Sequence, residues 1–378
     1  MPFPRVTLSA EGGAMTSPKG SQPSKGKFLK PEREEVKKVN KAITVAIALI
    51  MTALAFTTIS PRASADPTIL YVDDDSVQCP NAGYATIQSA VDAANNLDTI
   101  IVCAGTYSES VSVVGFSSLA IRAEGSALPQ KSVVVNPQPQ GFTSGFYVLS
   151  DGVRIEGFEI KNTNFGIWFE GSNNKFSNNY IHDITSTIYW WDGGVGISLW
   201  DMNGGSNYNM ITNNVIQDIE RTGILLDVAW TDGGTGINTG NTVNNNKISG
   251  TPWGAIEILN AEYTSVNQNE LEACGDWGIA LLNAEQAIDS SSNSMAHNSI
   301  AHCSGSWGVG VLVYAWAGSA TSNDIHHNSI EDIQGAWFDV GIWIMGDYNT
   351  IHHNSVKETP SQYRDSGTGN VDFKNSWN

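Results

Sequence analysis

Residues 209–227 read N-M-I-T-N-N-V-I-Q-D-I-E-R-T-G-I-L-L-D and hold both halves of a pattern that recurs through the second half of the chain. The first half is apolar-x-x-Asn-x-apolar: Ile211, Asn214 and Ile216. It also appears as Phe176-Asn179-Ile181, Val243-Asn246-Ile248, Val266-Asn269-Leu271, Met295-Asn298-Ile300, Ile325-Asn328-Ile330 and Ile351-Asn354-Val356. An earlier variant, I-E-G-F-E-I from residue 155, puts Phe158 where Asn stands elsewhere. The second half is a Gly-led apolar run: G-I-W-F-E from 166, G-I-S-L-W from 196, G-I-L-L-D from 223, G-A-I-E-I from 254, G-I-A-L-L from 278, G-V-G-V-L-V from 308 and G-I-W-I-M from 341.

Successive anchors from Ile155 lie 21, 35, 32, 23, 29, 30 and 26 residues apart, room for two or three short strands per unit with turns between them. Alternation of apolar and polar positions fits strands, not helices. One unit cannot bury its apolar side alone, whereas a stack of similar coils can. The reading is therefore all-β: a single-stranded parallel β-helix, like strands pairing between coils at ~4.8 Å. The recurrent Asn suits a tight corner, where it tolerates the left-handed conformation and its amide can bond the Asn of the next coil. Unequal spacing predicts loops inserted at one corner, around 200–210, 227–242, 283–294 and 314–323.

Around this core, 37 Gly and 15% charged residues in 378 argue against coiled coils and long helices. Net charge is −18, unevenly spread: residues 1–65 hold ten basic and four acidic groups, the remainder ten basic and 34 acidic. So acidic a body repels nucleic-acid phosphates and anionic membranes, so nucleic acid is not an expected partner. Residues 1–41 read as a basic leader. Residues 42–65 read as a signal peptide or anchor: Lys37, Lys38 and Lys41, an apolar run over 42–56, then Ala63-Ser64-Ala65 before Asp66. Export follows, to an extracellular or periplasmic location, and residues 42–56 are the segment that could tether the chain to a membrane. Residues 66–140 read as an N-terminal cap with the first coils, and 141–378 as the repeats.

Four cysteines fit export. Cys79 and Cys103 flank the helical pattern T-I-Q-S-A-V-D-A-A-N-N, with Ile87, Ala90, Val91 and Ala94 on one face. A bridge between the two would pin a short capping helix to the strand T-I-I-V-C. Cys274 and Cys303 occupy matching places in two coils, as a second bridge or as stacked thiols.

The paired I-x-x-N-x-I and G-I-x-L motifs resemble the right-handed parallel β-helix repeat of the pectin-lyase-like superfamily, including its NosD-type repeat proteins. I-L-Y-V-D-D-D, Y-A-T-I-Q-S-A-V-D-A-A and D-T-I-I-V-C-A-G-T-Y-S-E resemble the N-terminal cap of secreted members. The resemblance spans roughly residues 68–375. It implies a right-handed winding and leaves activity open, because the superfamily mixes lyases, hydrolases, epimerases and adhesins.

Three residue sets are candidates for function. Trp191, Trp253, Trp277, Trp307 and Trp337 fall one per coil before the Gly-led strand. Indole rings in such a row either stack on sugar rings along a groove or pack on one another in a corner. Aligning the Gly-led strands sorts Trp168, Ser198, Leu225, Glu257, Ala280, Leu312 and Trp343 into one outward column. Glu170, Trp200, Asp227, Leu259, Leu282, Tyr314 and Met345 form the next. Asp227 and Glu257 then lie on adjacent coils and two residues apart, on the order of 8 Å, a spacing an inverting glycosidase can use. Arg221 is placed to clamp an anionic group or lower a neighbouring pKa.

His297, His326, His327, His352 and His353 gather beside the ladder Asn, either as a simple stack or as imidazole ligands, and no metal is assigned to them. Asp73-Asp74-Asp75 is a charged turn or a Ca2+ ligand run, and Ca2+ is the one cofactor considered. The functional expectation is a secreted protein that binds a polysaccharide or cell-surface glycan. Any catalysis is expected to be glycoside hydrolysis rather than polyuronate lysis or epimerisation, since few cations are present to neutralise uronates. The alternative is a non-catalytic scaffold or adhesion protein.

Overall fold

The computed structural model describes residues 66–125, 132–139, 142–186, 193–201, 204–227, 236–283, 289–315 and 318–378, all within the unit Pro61–Asn378. The leader and the 42–65 signal segment lie outside the described residues. No helix among the described residues is long and apolar enough to cross a membrane.

Each coil visits three parallel sheets in turn. In one coil, Met210–Thr212 lies in the first sheet, Val215–Ile219 in the second and Thr222–Asp227 in the third. The next coil repeats the route with Thr242–Asn244, Lys247–Thr251 and Gly254–Leu259. The first, second and third sheets have 12, 11 and 10 strands among the described residues, and their pairings are parallel. Apolar anchors stack in register: Ile211, Val243, Val266, Met295, Ile325 and Ile351 occupy one inward column of the first sheet. The solenoid expected from the repeat is what forms. The helix Ile87–Ala93 covers the first coils with Ile87, Ala90 and Val91 buried, and the Thr86 side chain caps its N-terminus by accepting from Ser89 N–H. Cys79–Cys103 and Cys274–Cys303 are both bridged.

Nine residues separate Ala123 from Val133 in an early coil, whereas from Lys175 onward the corner between the first and second sheets takes two residues, as in Thr212 to Val215 and His326 to Ser329. Its second residue is the ladder Asn. Here the expectation needs correction: the left-handed residue is the one before it, for example Asn213 at φ 58°, His327 at 55° and His353 at 55°. The ladder Asn is left free to turn its amide along the stack. Left-handed residues in fact mark all three corners at a spacing of five, as in Tyr208, Asn213 and Asp218, or Ser322, His327 and Asp332.

A second Asn ladder lies five residues ahead of the first. Asn174 N–H donates to Asn209 Oδ1 at 2.9 Å, and Asn209 N–H to Asn241 Oδ1 at 2.8 Å. The series resumes through Asn293, Asn323 and Asn349, with Thr264 replacing Asn in one coil.

The Gly column of the third sheet has a steric cause. A Cβ on Gly166, Gly196, Gly278 or Gly310 would lie 2.4–2.7 Å from the next coil's carbonyl oxygen. It would also lie 2.5–2.8 Å from Cγ2 of Ile181, Ile216, Ile300 or Ile330. The one alanine in this column, Ala255, is followed in the next coil by Leu271, in the second-sheet register where the coils on either side carry Ile248 and Ile300. Leucine has no Cγ2, so space for a methyl opens there.

Candidate functional site

From Lys175 onward inserted loops stand at two corners, not one. The expected set, around 200–210, 227–242, 283–294 and 314–323, follows third-sheet strands. A second set precedes them: ten residues separate Ile184 from Val195, and eight separate Glu331 from Val340, against two between Ile219 and Thr222. Both sets flank the outer face of the third sheet.

Its columns are those read from the sequence. Trp168, Ser198, Leu225, Glu257, Ala280, Leu312 and Trp343 are in register, and Tyr147 continues the column below Trp168. Trp200 pairs with Asp227 in the adjoining column. Asp227 and Glu257 are therefore on adjacent coils, two residues apart, as expected.

They nevertheless face different surroundings. Glu257 is 7% exposed. Burial raises its pKa, Arg221 and the Thr222 hydroxyl oppose the rise, and Asp276 adds to it. The Arg221 guanidinium also sits 4.9 Å from the Trp253 ring centre. Asp276 is likewise raised by burial, against donation from the Trp307 and Ser306 N–H groups. Asp227, 3% exposed, belongs instead with Asp201, whose N–H donates to the Asp227 carbonyl at 3.4 Å.

The five tryptophans do not form one exposed row, because each takes its environment from its own corner loop. Trp277 is 5% exposed and meets Trp307 edge to face at 6.3 Å. Trp307 in turn packs on Phe338 and Trp343 within an outer apolar cluster that includes Leu312 and Val340. Trp253 is half-buried under Arg221. Trp337 is 66% exposed. Trp191 lies outside the described residues.

Nearer the N-terminus, among the described residues, the same face gathers residues that sequence reasoning left apart. Tyr147 and Trp168 stack at 4.8 Å and 9°, both half-buried. Beside them Glu170, Asp201, Asp151, Ser172 and Ser206 line an open groove of about 340 Å3. Burial raises the Glu170 pKa and the charge of Asp201 raises it further. Asp201 accepts from Ser206 Oγ at 2.6 Å. Glu170 also raises Tyr147, after burial, so the phenol and the carboxyl share one field. A carboxyl whose pKa burial raises, beside a second carboxyl that accepts from a serine hydroxyl, is a pairing of the kind acid–base chemistry uses. The signal for it was the outward column that contains Glu170. Asp201 was hidden because it lies one residue past its strand.

In the Asp73-Asp74-Asp75 run, Asp73 accepts from Cys79 N–H, Asp74 from Thr106 N–H of a neighbouring strand and Asp75 from Val77 N–H, and one oxygen of each carboxylate lies within 4.8 Å of the others.

Residues 202–356 match the family model described as a right handed beta helix region. That match carries no NosD-type assignment. No curated protein sequence matches the chain. Among solved structures the chain is similar to an alginate lyase from Paenibacillus sp. str. FPU-7. Identity is 17% and the TM-score 0.53, over 79% of this chain and 98% of that one. It is similar to a GH136 lacto-N-biosidase from Eubacterium ramulus at 14% identity and TM-score 0.56, over 82% of this chain and 67% of that one. It is also similar to XylC in complex with xylose, at 13% identity and TM-score 0.52, over 79% and 69% of the two chains. At such identities the likeness is one of fold. Three parallel sheets, ladders in register and the matched region together make this chain a right-handed parallel β-helix protein.

Proposed function

We propose that this β-helix binds an extracellular polysaccharide along the outer face of its third sheet and hydrolyses it at Glu170 and Asp201. The observation that carries the reading is the open groove, where a carboxyl of raised pKa and a hydrogen-bonded carboxylate lie beside the stacked Tyr147 and Trp168. Aromatic faces suit the C–H faces of sugar rings. Glu170 would give its proton to the leaving glycosidic oxygen while Asp201 activates water or attacks the anomeric carbon. Glycan-acting proteins among the fold's relatives support the substrate class, and two disulfides support export.

The test is release of reducing ends from a panel of neutral and weakly charged polysaccharides. Glu170→Gln and Asp201→Asn should each abolish release while retention on the insoluble glycan persists. Trp168→Ala should weaken retention. Retention without release by the wild-type protein would remove the catalytic half of the proposal, and no retention at all would remove both. The scaffold reading draws on a different observation, the outer cluster around Trp277, Leu312 and Trp343, whose aromatics bury one another instead of facing solvent.

A further inference from the structure

Five of the chain's seven histidines converge at one place, remote in sequence from Glu170 and unused by the reading above. His326 and His352 end adjacent strands of the first sheet and stack at 4.9 Å and 1°. His297, His327 and His353 hold the left-handed corner position in three successive coils and stack beside them at 4.8 and 4.7 Å. Within each coil the two columns face each other through Nδ1: His326 to His327 at 2.9 Å, His352 to His353 at 2.7 Å. His297, His326 and His327 form one three-ligand group and His327, His352 and His353 another, with His327 in both.

Two facing Nδ1 atoms must either share a proton or turn both lone pairs toward a cation. Asp324 bears on that choice. Its Oδ1 lies 3.1 Å from His352 Nε2 and its Oδ2 lies 3.9 Å from His326 Nε2. A carboxylate only accepts, so a His352 ring with its proton on Nε2 would point that N–H toward Asp324 and leave Nδ1 bare toward the cluster. A carboxylate holding the far nitrogen is the usual support of a metal-bound imidazole. Phe373 stacks on the open side of His352 at 5.0 Å and 8°, shielding that ring from solvent.

We infer that the group His327, His352 and His353 binds a divalent transition-metal ion with imidazole preference, copper or zinc. All-nitrogen donors disfavour Ca2+ and Mg2+, which take oxygen ligands. For metal–nitrogen bonds of about 2.0–2.1 Å in a tetrahedral site, neighbouring nitrogens stand roughly 3.3 Å apart. The facing His352-His353 pair needs to open by only about half an ångström, which side-chain rotation at exposed corners supplies.

The experiment is calorimetric titration of the untagged protein with Cu2+, Zn2+ and Ca2+, with electron paramagnetic resonance of the Cu2+-loaded sample. Expected are one saturable Cu2+ or Zn2+ site, Cu2+ the tighter, nitrogen hyperfine coupling from several imidazoles, and no Ca2+ binding. His327→Gln should weaken binding at least tenfold, and Asp324→Asn by about 10–100-fold as a positioning residue. His302→Gln, outside both groups, should leave binding unchanged. Thermal melts without metal should match wild type for both His variants, because His302 and His327 are exposed. Absence of saturable binding overturns the inference, as does an His327→Gln protein that binds like wild type.

Discussion

Asn298 Oδ1 accepts two hydrogen bonds from Asn269, one from the backbone N–H and one from Nδ2, each at 3.0 Å. Asn298 Nδ2 in turn donates to the Val266 carbonyl and to Asn328 Oδ1. The same three-way link recurs from Asn179 to Asn375. The ladder thus satisfies buried corner groups that sheet pairing leaves over. Asn298→Ala would strand two donors and a carbonyl, each costing about 1–3 kcal/mol. A loss of at least about 2 kcal/mol in urea unfolding is expected. A loss within experimental error would mean that water replaces the ladder.

The match between the Gly column and the β-branched column above it predicts a compensating pair. Gly278→Ala would press a methyl to 2.5 Å from Ile300 Cγ2 and 2.7 Å from the Gly310 carbonyl oxygen, an overpacking cost of about 1–3 kcal/mol. Adding Ile300→Leu should recover much of that loss, reproducing the natural Ala255–Leu271 combination. Equal instability of the single and double variants would show that the carbonyl contact alone sets the limit.

Burial raises the pKa values of Glu170, Glu257 and Asp276. Each binds more protons folded than unfolded between its ordinary value, 4.5 for Glu and 3.8 for Asp, and its raised one. The stabilisation is complete below the ordinary value and is lost as pH rises through the raised value. Urea midpoints should therefore fall from mildly acidic to neutral pH, and Glu257→Gln should flatten the slope. Asp98 runs the other way: burial alone would raise it, but donation from Asn95 and Thr68 wins, so its effect falls below pH 3.8 and outside this window. A midpoint rising toward neutrality would refute the assignment.

Cys274 and Cys303 join neighbouring coils across a sequence separation of 29. Replacing both by Ser should cost about 3 kcal/mol through the freed denatured chain. Mass spectrometry should find the bridge in the protein before reduction, and a free thiol at either position would contradict it.

The fold was legible because one solenoid coil repeats its chemistry. Ile211, Asn214 and Ile216 declare a corner and two inward strands, and six further coils repeat them. The outward columns, from Trp168 to Trp343, also came out in register, since the alternation of a strand is fixed once Gly166 and Gly196 are aligned. The second Asn ladder escaped notice because Asn209 and Asn241 sit in segments whose spacing from the preceding strand varies. The one-residue shift of the left-handed position has a physical cause as well. Asn213 and Asn214 are the same residue type, and in the later coils His takes the strained position while Asn keeps the ladder.

The site was less legible because side-chain exposure depends on loops, not on period. Trp277 and Trp337 occupy related places in their coils, yet one is covered and the other open. Glu257 was chosen for its spacing from Asp227, whereas Arg221 and Trp253 draw it to another side of the face. Asp201 joins Glu170 only through the bend that follows Trp200.

From Lys175 onward the two-residue turn between the first and second sheets keeps its length, while the other two bends carry the insertions. Adding or deleting a residue after Asn213 would push each downstream ladder amide out of line, with consequences along the whole stack. The same change in the segments after Trp200 or before Val340 would be absorbed within one coil. Ligand preference can therefore be altered by exchanging those segments among coils while the framework beneath them stays as it is.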